Sequence, residues 1–193
     1  MEALPTKLPG VLLLRPQAHR DKRGMFVETW RKDYYRKFGI PDMVQTNVSV
    51  STRDVVRGLH YQWPYPQAKL VSVLRGHAID VVVDVRVGSP TFGQGVGLEL
   101  IEDDPTQVYV PEGFAHGIRA LSVGTVVSYA CSQYYMPDYA RSIKWNDPAI
   151  KIDWVCSLSG AWVSENMVSV SVVDAEAPKL ADVPKDLLPY FPS

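Results

Sequence analysis

The chain has 193 residues, 46% of them hydrophobic, and its 20 Lys and Arg nearly balance its 21 Asp and Glu for a formal net charge of −1. That length and apolar content suit one domain with a sizeable core, read here as residues 1–193, while the balanced charge excludes bulk attraction to nucleic acid or an anionic membrane. The opening MEALPTKLPG lacks a signal-peptide core, nothing later approaches the ~18 apolar residues of a membrane span, and Cys131 and Cys156 form no CxxC or metal-spaced set, so a soluble cytoplasmic protein with free thiols is expected.

Taken in order, Val11 to Leu14 reads as a first strand, residues 19–24 (HRDKRG) as a charged turn ending in glycine, and MFVETW as an alternating strand. Arg31 to Phe38 predicts about two helical turns with Tyr34, Tyr35 and Phe38 inward, stopped by Gly39 and Pro41. Met43 to Val50 alternates, with Val44, Thr46, Val48 and Val50 on one face and Gln45, Asn47 and Ser49 on the other. Strands around Lys69 and Val81 follow, broken at Arg75-Gly76 and at Gly88-Ser89-Pro90. GVGLELI, QVYV, FAHGIRAL, TVVSYACS and RSIKW then come at short intervals between DDP, PEG, SVG and MPD. The last segment carries SLSGAW, a valine-rich run to Val173, DAEAPKL and a short proline-bounded helix near Lys185 to Leu188. Many short strands with such punctuation predict a mainly β protein, a jelly-roll barrel of antiparallel strands around a cavity with a few short helices.

The stretch from Val55 to Phe92 is the most informative. Val71, Val73, Ile79, Val81, Val83 and Val85 recur at every second position, as in a strand with a packed face. Arg57, His60 and Lys69 lie inside these same segments. Burying an unpaired charge costs on the order of several kcal/mol, so groups of this kind either face outward or belong to a polar site.

RGLHYQ (Arg57 to Gln62), QAKLV (Gln67 to Val71) and VGSPTFG (Val87 to Gly93) stand here in the order of one family's motifs. The chain thus resembles the dTDP-4-dehydrorhamnose 3,5-epimerases, the RmlC-like sugar epimerases. The resemblance implies a cupin-type jelly roll, a homodimer, an isomerase activity without a cofactor, and a dTDP-4-keto-6-deoxy sugar nucleotide as substrate, with no nucleic acid or membrane partner. The reaction it implies inverts C3 and C5 by removing a proton beside a ketone and returning one to the opposite face through an enolate. Such chemistry needs a base, an acid and a group that stabilises the enolate oxygen. It needs no redox cofactor, in keeping with the absence of a GxGxxG segment opening a helix.

His60 is the expected base, since an imidazole with an ordinary pKa near ~6.5 is partly neutral at working pH. In the matching C-terminal pattern SVVDAEAP, Asp174 stands where the family's orienting carboxylate is implied. Tyr129, on one face with Thr125, Val127 and Cys131, matches the implied acid, and Lys69 suits an enolate or keto oxygen. Substrate-binding roles are implied for Arg23 and Glu28 in RGMFVE, for Gln45 and Asn47, for Arg57 and for His116 in GFAHG. Without the resemblance, His60 reads as a satisfied core histidine, Asp174 as a surface turn residue, Arg23 as a solvated turn residue and Tyr129 as one of ten tyrosines.

Other readings stay open at this point. Residues 111–116 (PEGFAH) fit PxGxxH, the pattern by which metal-binding cupins place a histidine, but no HxH pair precedes it and the chain has four histidines, so no metal site is expected. Thr46, Val48, Ala130, Ala140 and Val173 depart from residues common in the family, and none removes the expected base, carboxylate, acid or lysine. They bear on nucleotide contacts and substrate identity. A single-carbon epimerase, a ketoisomerase, a metal-dependent cupin and a non-catalytic sugar-nucleotide binder remain alternatives.

Overall fold

The computed structural model describes residues 1–150, 152, 154 and 167–191. The elements in order are β1 (Glu2–Pro5), β2 (Leu12–Arg15), β3 (Ala18–Asp21), β4 (Gly24–Val27), α1 (Lys32–Tyr35), β5 (Gln45–Ser51), β6 (Val56–Gln62), β7 (Lys69–Arg75), β8 (His77–Asp84), β9 (Gly95–Ile101), β10 (Gln107–Val110), β11 (Phe114–Ala120), β12 (Thr125–Cys131), β13 (Ala140–Ser142) and α2 (Val172–Ala175). One sheet runs β1-β2-β10-β7-β12-β5, a second runs β13-β6-β11-β8-β9, and β3 and β4 make a separate hairpin. Two antiparallel sheets with crossed connections form the cupin-type jelly roll expected from the strand pattern. The expected barrel is open, however: among the described residues no ladder joins the two sheets, which pack face to face through side chains instead.

Three apolar clusters hold these layers. Between the sheets lie Val71, Val73, Val82, Val108, Ile118 and Val127. Outside the five-stranded sheet, Ile79, Val81 and Val83 pack against Trp145, Trp154, Leu180 and Leu188 from the C-terminal part of the chain. Outside part of the six-stranded sheet, Leu14, Leu70 and Tyr109 pack against Tyr35, Ile40, Tyr34 and Phe38 from the α1 region. Thus β8 is buried on both faces, where its alternation alone predicts one.

Several local expectations hold. The 31–38 segment is α1 followed by a 3-10 turn at Arg36–Phe38, and Gly39 ends it at a φ of 76°, which glycine adopts without strain. The short helix expected near Lys185 is a 3-10 turn over Lys185–Leu187. Others change. The N-terminal tail contributes β1, so the Val11 region is the second strand. The 19–24 turn is shorter than expected because residues 18–21 pair with 24–27 as a hairpin. The valine-rich run ends as α2, whose Ser171 hydroxyl accepts the Asp174 N–H at 3.1 Å, and this cap outweighs the strand preference of Val172 and Val173. Cys131 is a free thiol. Cys156 and SLSGAW lie outside the described residues.

The VGSPTFG segment wraps around a polar knot. Fully buried Asp84 accepts from Arg86 Nη2 at 2.7 Å, Ser89 Oγ at 2.6 Å and Thr91 Oγ1 at 2.6 Å. Arg86 also lies over the rings of Phe114 and Phe191, at 4.1 and 4.9 Å, and so fastens the tail to the five-stranded sheet.

Strict alternation would turn Arg57 and His60 to opposite faces of β6, yet both line the cavity. The cause is a register shift against β11: His60 opposes His116 while Arg57 opposes Ile118, so β6 carries one more residue than its partner over this interval. Gly58 occupies the shift at a φ of 127°, and a Cβ there would lie 2.6 Å from Gly117 Cα and 2.9 Å from the His116 carbonyl oxygen. Backbone cannot yield as a flexible side chain can. Gly58→Ala is therefore expected to destabilise the fold by about 2–4 kcal/mol, read as a lowered urea midpoint at an unchanged m-value.

Candidate active site

A cavity of about 820 Å³ opens between the sheets. The five-stranded sheet supplies Arg57 and His60 from β6 and His116 from β11. The six-stranded sheet supplies Asn47 and Ser49 from β5, Lys69 from β7, and Tyr129 and Cys131 from β12. The expected base and the expected acid therefore stand on opposite walls.

On the first wall, His60 Nε2 is 2.6 Å from Asp174 Oδ1, with the His60 side chain 45% exposed and Asp174 5% exposed. The arm carrying Asp174 docks alongside β6 through Val56 N–H to Ser169 O and Ser169 N–H to Asp54 O, both 2.9 Å. The Gly58 N–H also approaches Asp174 Oδ2, at 3.4 Å. With Nε2 held by the carboxylate, Nδ1 is the ring nitrogen left for a ligand. Burial alone would raise the Asp174 carboxyl. The hydrogen bond and charge of His60, with the Gly58 N–H, outweigh burial and hold it below the usual carboxylate value.

The second wall is polar where the sequence is least apolar. Gln45, Asn47 and Ser49 form the inward row of β5, and Val48 and Val50 point outward, 59% and 64% exposed. Tyr129 Oη is 3.0 Å from Ser49 Oγ, and burial pushes the phenol up to about 12. Lys69 lies across from Cys131 in the β7–β12 ladder. Burial pulls the Lys69 ammonium down, against the pull of Cys131 and Asp80. Burial raises the Cys131 thiol in turn.

His116 joins the walls. Its ring lies edge-on to Tyr129 with centroids 6.0 Å apart, and its Nε2 is 2.7 Å from Oδ2 of the fully buried Asp80. Asp80 Oδ1 has no hydrogen-bond partner among the described residues. Asp80 is not among the residues expected from sequence, although an acid within the apolar run AIDVVVD is a legible signal. Ser49, Arg141 and Tyr135 also line the cavity without having been singled out.

Of the ten site residues expected from sequence, His60, Lys69, Tyr129, Asp174, Asn47, Arg57 and His116 all line this cavity. Gln45 sits beside it, donating from its amide to Asn47 Oδ1 at 2.9 Å and accepting the Tyr135 N–H at 2.9 Å. Arg57 donates to Ser51 Oγ at 3.1 Å. Arg23 and Glu28 are not brought to the cavity of their own chain. Arg23, on the β3–β4 hairpin, is 84% exposed and paired with Asp21, and Glu28 pairs with Arg31 at 3.5 Å. Among the described residues no three His, Cys, Asp or Glu side chains are grouped to hold a metal ion. His116 of the PxGxxH segment is engaged by Asp80.

A cupin-type fold whose cavity sets a carboxylate-held imidazole across from a lysine and a phenol defines a sugar-nucleotide epimerase of the proton-transfer class. The chain belongs to the dTDP-4-dehydrorhamnose 3,5-epimerase family: the family model matches residues 5–182. It is 41% identical over 187 residues to the dTDP-4-dehydrorhamnose 3,5-epimerase of Mycobacterium tuberculosis, covering 95% of this chain and 89% of that one. Its fold is similar to that of the Legionella pneumophila epimerase RmlC, solved with dTDP-4-keto-L-rhamnose, at a TM-score of 0.92 and 39% identity over 100% of this chain and 99% of the other. It is also similar to ChmJ, a 3'-monoepimerase from Streptomyces bikiniensis solved with dTDP-quinovose, at a TM-score of 0.84 and 34% identity over 96% and 92% of the two chains. No helix is long and apolar enough to cross a membrane among the described residues.

The Asp174 shift gives a stability signature. A carboxyl whose folded pKa lies below its unfolded value of about 3.9 contributes stability that is complete above that pH and is lost as pH falls through the folded value. Asp174→Asn is therefore expected to cost about 1–3 kcal/mol at pH 7, with a smaller difference from the parent at pH 3. Urea unfolding at the two pH values measures both.

Proposed function

We propose that this chain inverts C3 and C5 of a dTDP-4-keto-6-deoxy-hexose, converting dTDP-4-dehydro-6-deoxy-D-glucose to dTDP-4-dehydro-L-rhamnose. In this reading His60 removes the proton beside the ketone, Asp174 holds the imidazole, Lys69 stabilises the enolate oxygen, and Tyr129 returns a proton from the other face. The observation that carries it is the placement of the 2.6 Å His60–Asp174 pair on one wall and of Lys69 and Tyr129 on the other. Inversion, unlike exchange with retention, needs a base and an acid on opposite sides of one carbon. A lysine whose charge is weakened by burial gains from facing an oxygen that becomes negative.

Arg57, Asn47, Gln45 and His116 would hold the sugar nucleotide in this reading, with Arg57 suited to a phosphate. Arg23 and Glu28 would serve the cavity of a second copy in a homodimer. Two features support this: the hairpin bearing Arg23 carries Phe26 at 73% exposure, and the outer face of β5 shows bare Val48 and Val50. The similarity to a 3'-monoepimerase favours a second reading, inversion at one carbon.

Proton NMR in heavy water with the dTDP-4-keto-6-deoxyglucose substrate separates the two. Two-carbon inversion places deuterium at both C3 and C5, and label at one centre supports the monoepimerase reading. His60→Asn should lower kcat by roughly 10²–10⁴-fold with the fold intact. Near-parental turnover in that variant would remove His60 as the base. Tyr129→Phe should still exchange hydrogen at carbon while inversion is impaired, and normal inversion would discard the acid assignment.

A further inference from the structure

Each inversion by two different groups ends out of balance, with His60 holding one proton more and Tyr129 one fewer than at the start. A second inversion on the same bound sugar requires both to be reset while the substrate fills the cavity. His60 is half-exposed and can release its proton to water. Tyr129 is more enclosed, and its phenolate, raised by burial, takes a proton from a hydroxyl within reach.

That hydroxyl is Ser49, whose Oγ lies 3.0 Å from Tyr129 Oη. Ser49 is half-buried in the cavity wall on β5, the terminal strand of the six-stranded sheet. It reaches the phenol from the strand next to β12 on the same wall. We propose that Ser49 returns the proton to Tyr129 between the two inversions, a relay along the wall that rests on Tyr129 being the acid.

The steps balance. The enolate carbon takes the Tyr129 proton as its C–H bond forms and the phenol O–H breaks. The phenolate takes the Ser49 proton, and Ser49 takes one from solvent water. His60 returns to solvent the proton it removed from carbon, so no net proton is gained or lost.

The test is Ser49→Ala, with Ser49→Thr as the variant that keeps a hydroxyl, assayed with the dTDP-4-keto-6-deoxyglucose substrate by steady-state kinetics and product NMR. Ser49→Ala should leave KM within about two-fold, lower kcat about ten-fold, and release singly inverted sugar in a share the parent does not. Ser49→Thr should restore both. A serine that only packed against the ring would not shift the ratio of singly to doubly inverted product. Parental kcat and product ratio in Ser49→Ala, or a loss that threonine does not restore, would overturn the relay. Tyr129→Phe in parallel separates the levels: if it inverts normally, the acid assignment fails and the relay with it. If it is impaired while Ser49→Ala is normal, the relay alone fails.

Discussion

A single 2.6 Å hydrogen bond, from His60 to Asp174, spans 114 residues of chain and fixes how the C-terminal arm meets the first sheet. Neither partner is secure alone. Asp174 is nearly fully buried, and an unpaired carboxylate there would carry a desolvation cost of several kcal/mol in order of magnitude. His60 is half-exposed, and its hydrogen bond to Asp174 favours one ring orientation. The Ser171 cap, the Ser169 bridge to β6 and the Gly58 N–H all serve to deliver that carboxylate to that nitrogen.

The remainder of the cavity follows from an inversion of ordinary patterning. A strand at a sheet edge usually turns its apolar row inward, whereas β5 turns Asn47 and Ser49 inward and its valines out. A doubly buried strand usually carries only apolar side chains, whereas β8 holds Asp80 and Asp84 at zero exposure. Asp84 is satisfied by its knot with Arg86, Ser89 and Thr91 and works for the architecture. Asp80 holds His116 of the cavity wall through one oxygen, and its other oxygen has no hydrogen-bond partner among the described residues. Departures from local rules thus serve the cavity at Asn47, Ser49 and Asp80 and the architecture at Asp84.

What could be read from the sequence follows the same division. The valine strands, the tyrosine-bearing turn stopped by Gly39 and the inward row of β12 were legible because periodicity and punctuation agree there with tertiary packing. β1 was not, since its four residues (EALP) include a glutamate and a proline and gain their strand state from pairing with β2. α2 was masked by Val172 and Val173, whose branching suggests a strand. The shared orientation of Arg57 and His60 depends on a register shift that no alternation rule announces. Seven of the ten expected site residues meet in the cavity, yet the resemblance, not periodicity, distinguished Tyr129 and Asp174 from other tyrosines and acids.

The two-sided character of β5 has a consequence for how the chain tolerates insertions and deletions. Because side chains alternate strictly, a slip of one residue against β12 would carry Val48 and Val50 into the cavity and expel Asn47 and Ser49. Hydrophobic burial would not resist such a slip, since valines gain by entering. Register is instead pinned at the ends, by Val44 N–H on Cys131 O and Asp54 N–H on Ala120 O, both 2.8 Å. The joints flanking this strand, remote from any reacting atom, thus set its phase, and lengthening either by one residue would turn Asn47 and Ser49 away from the cavity.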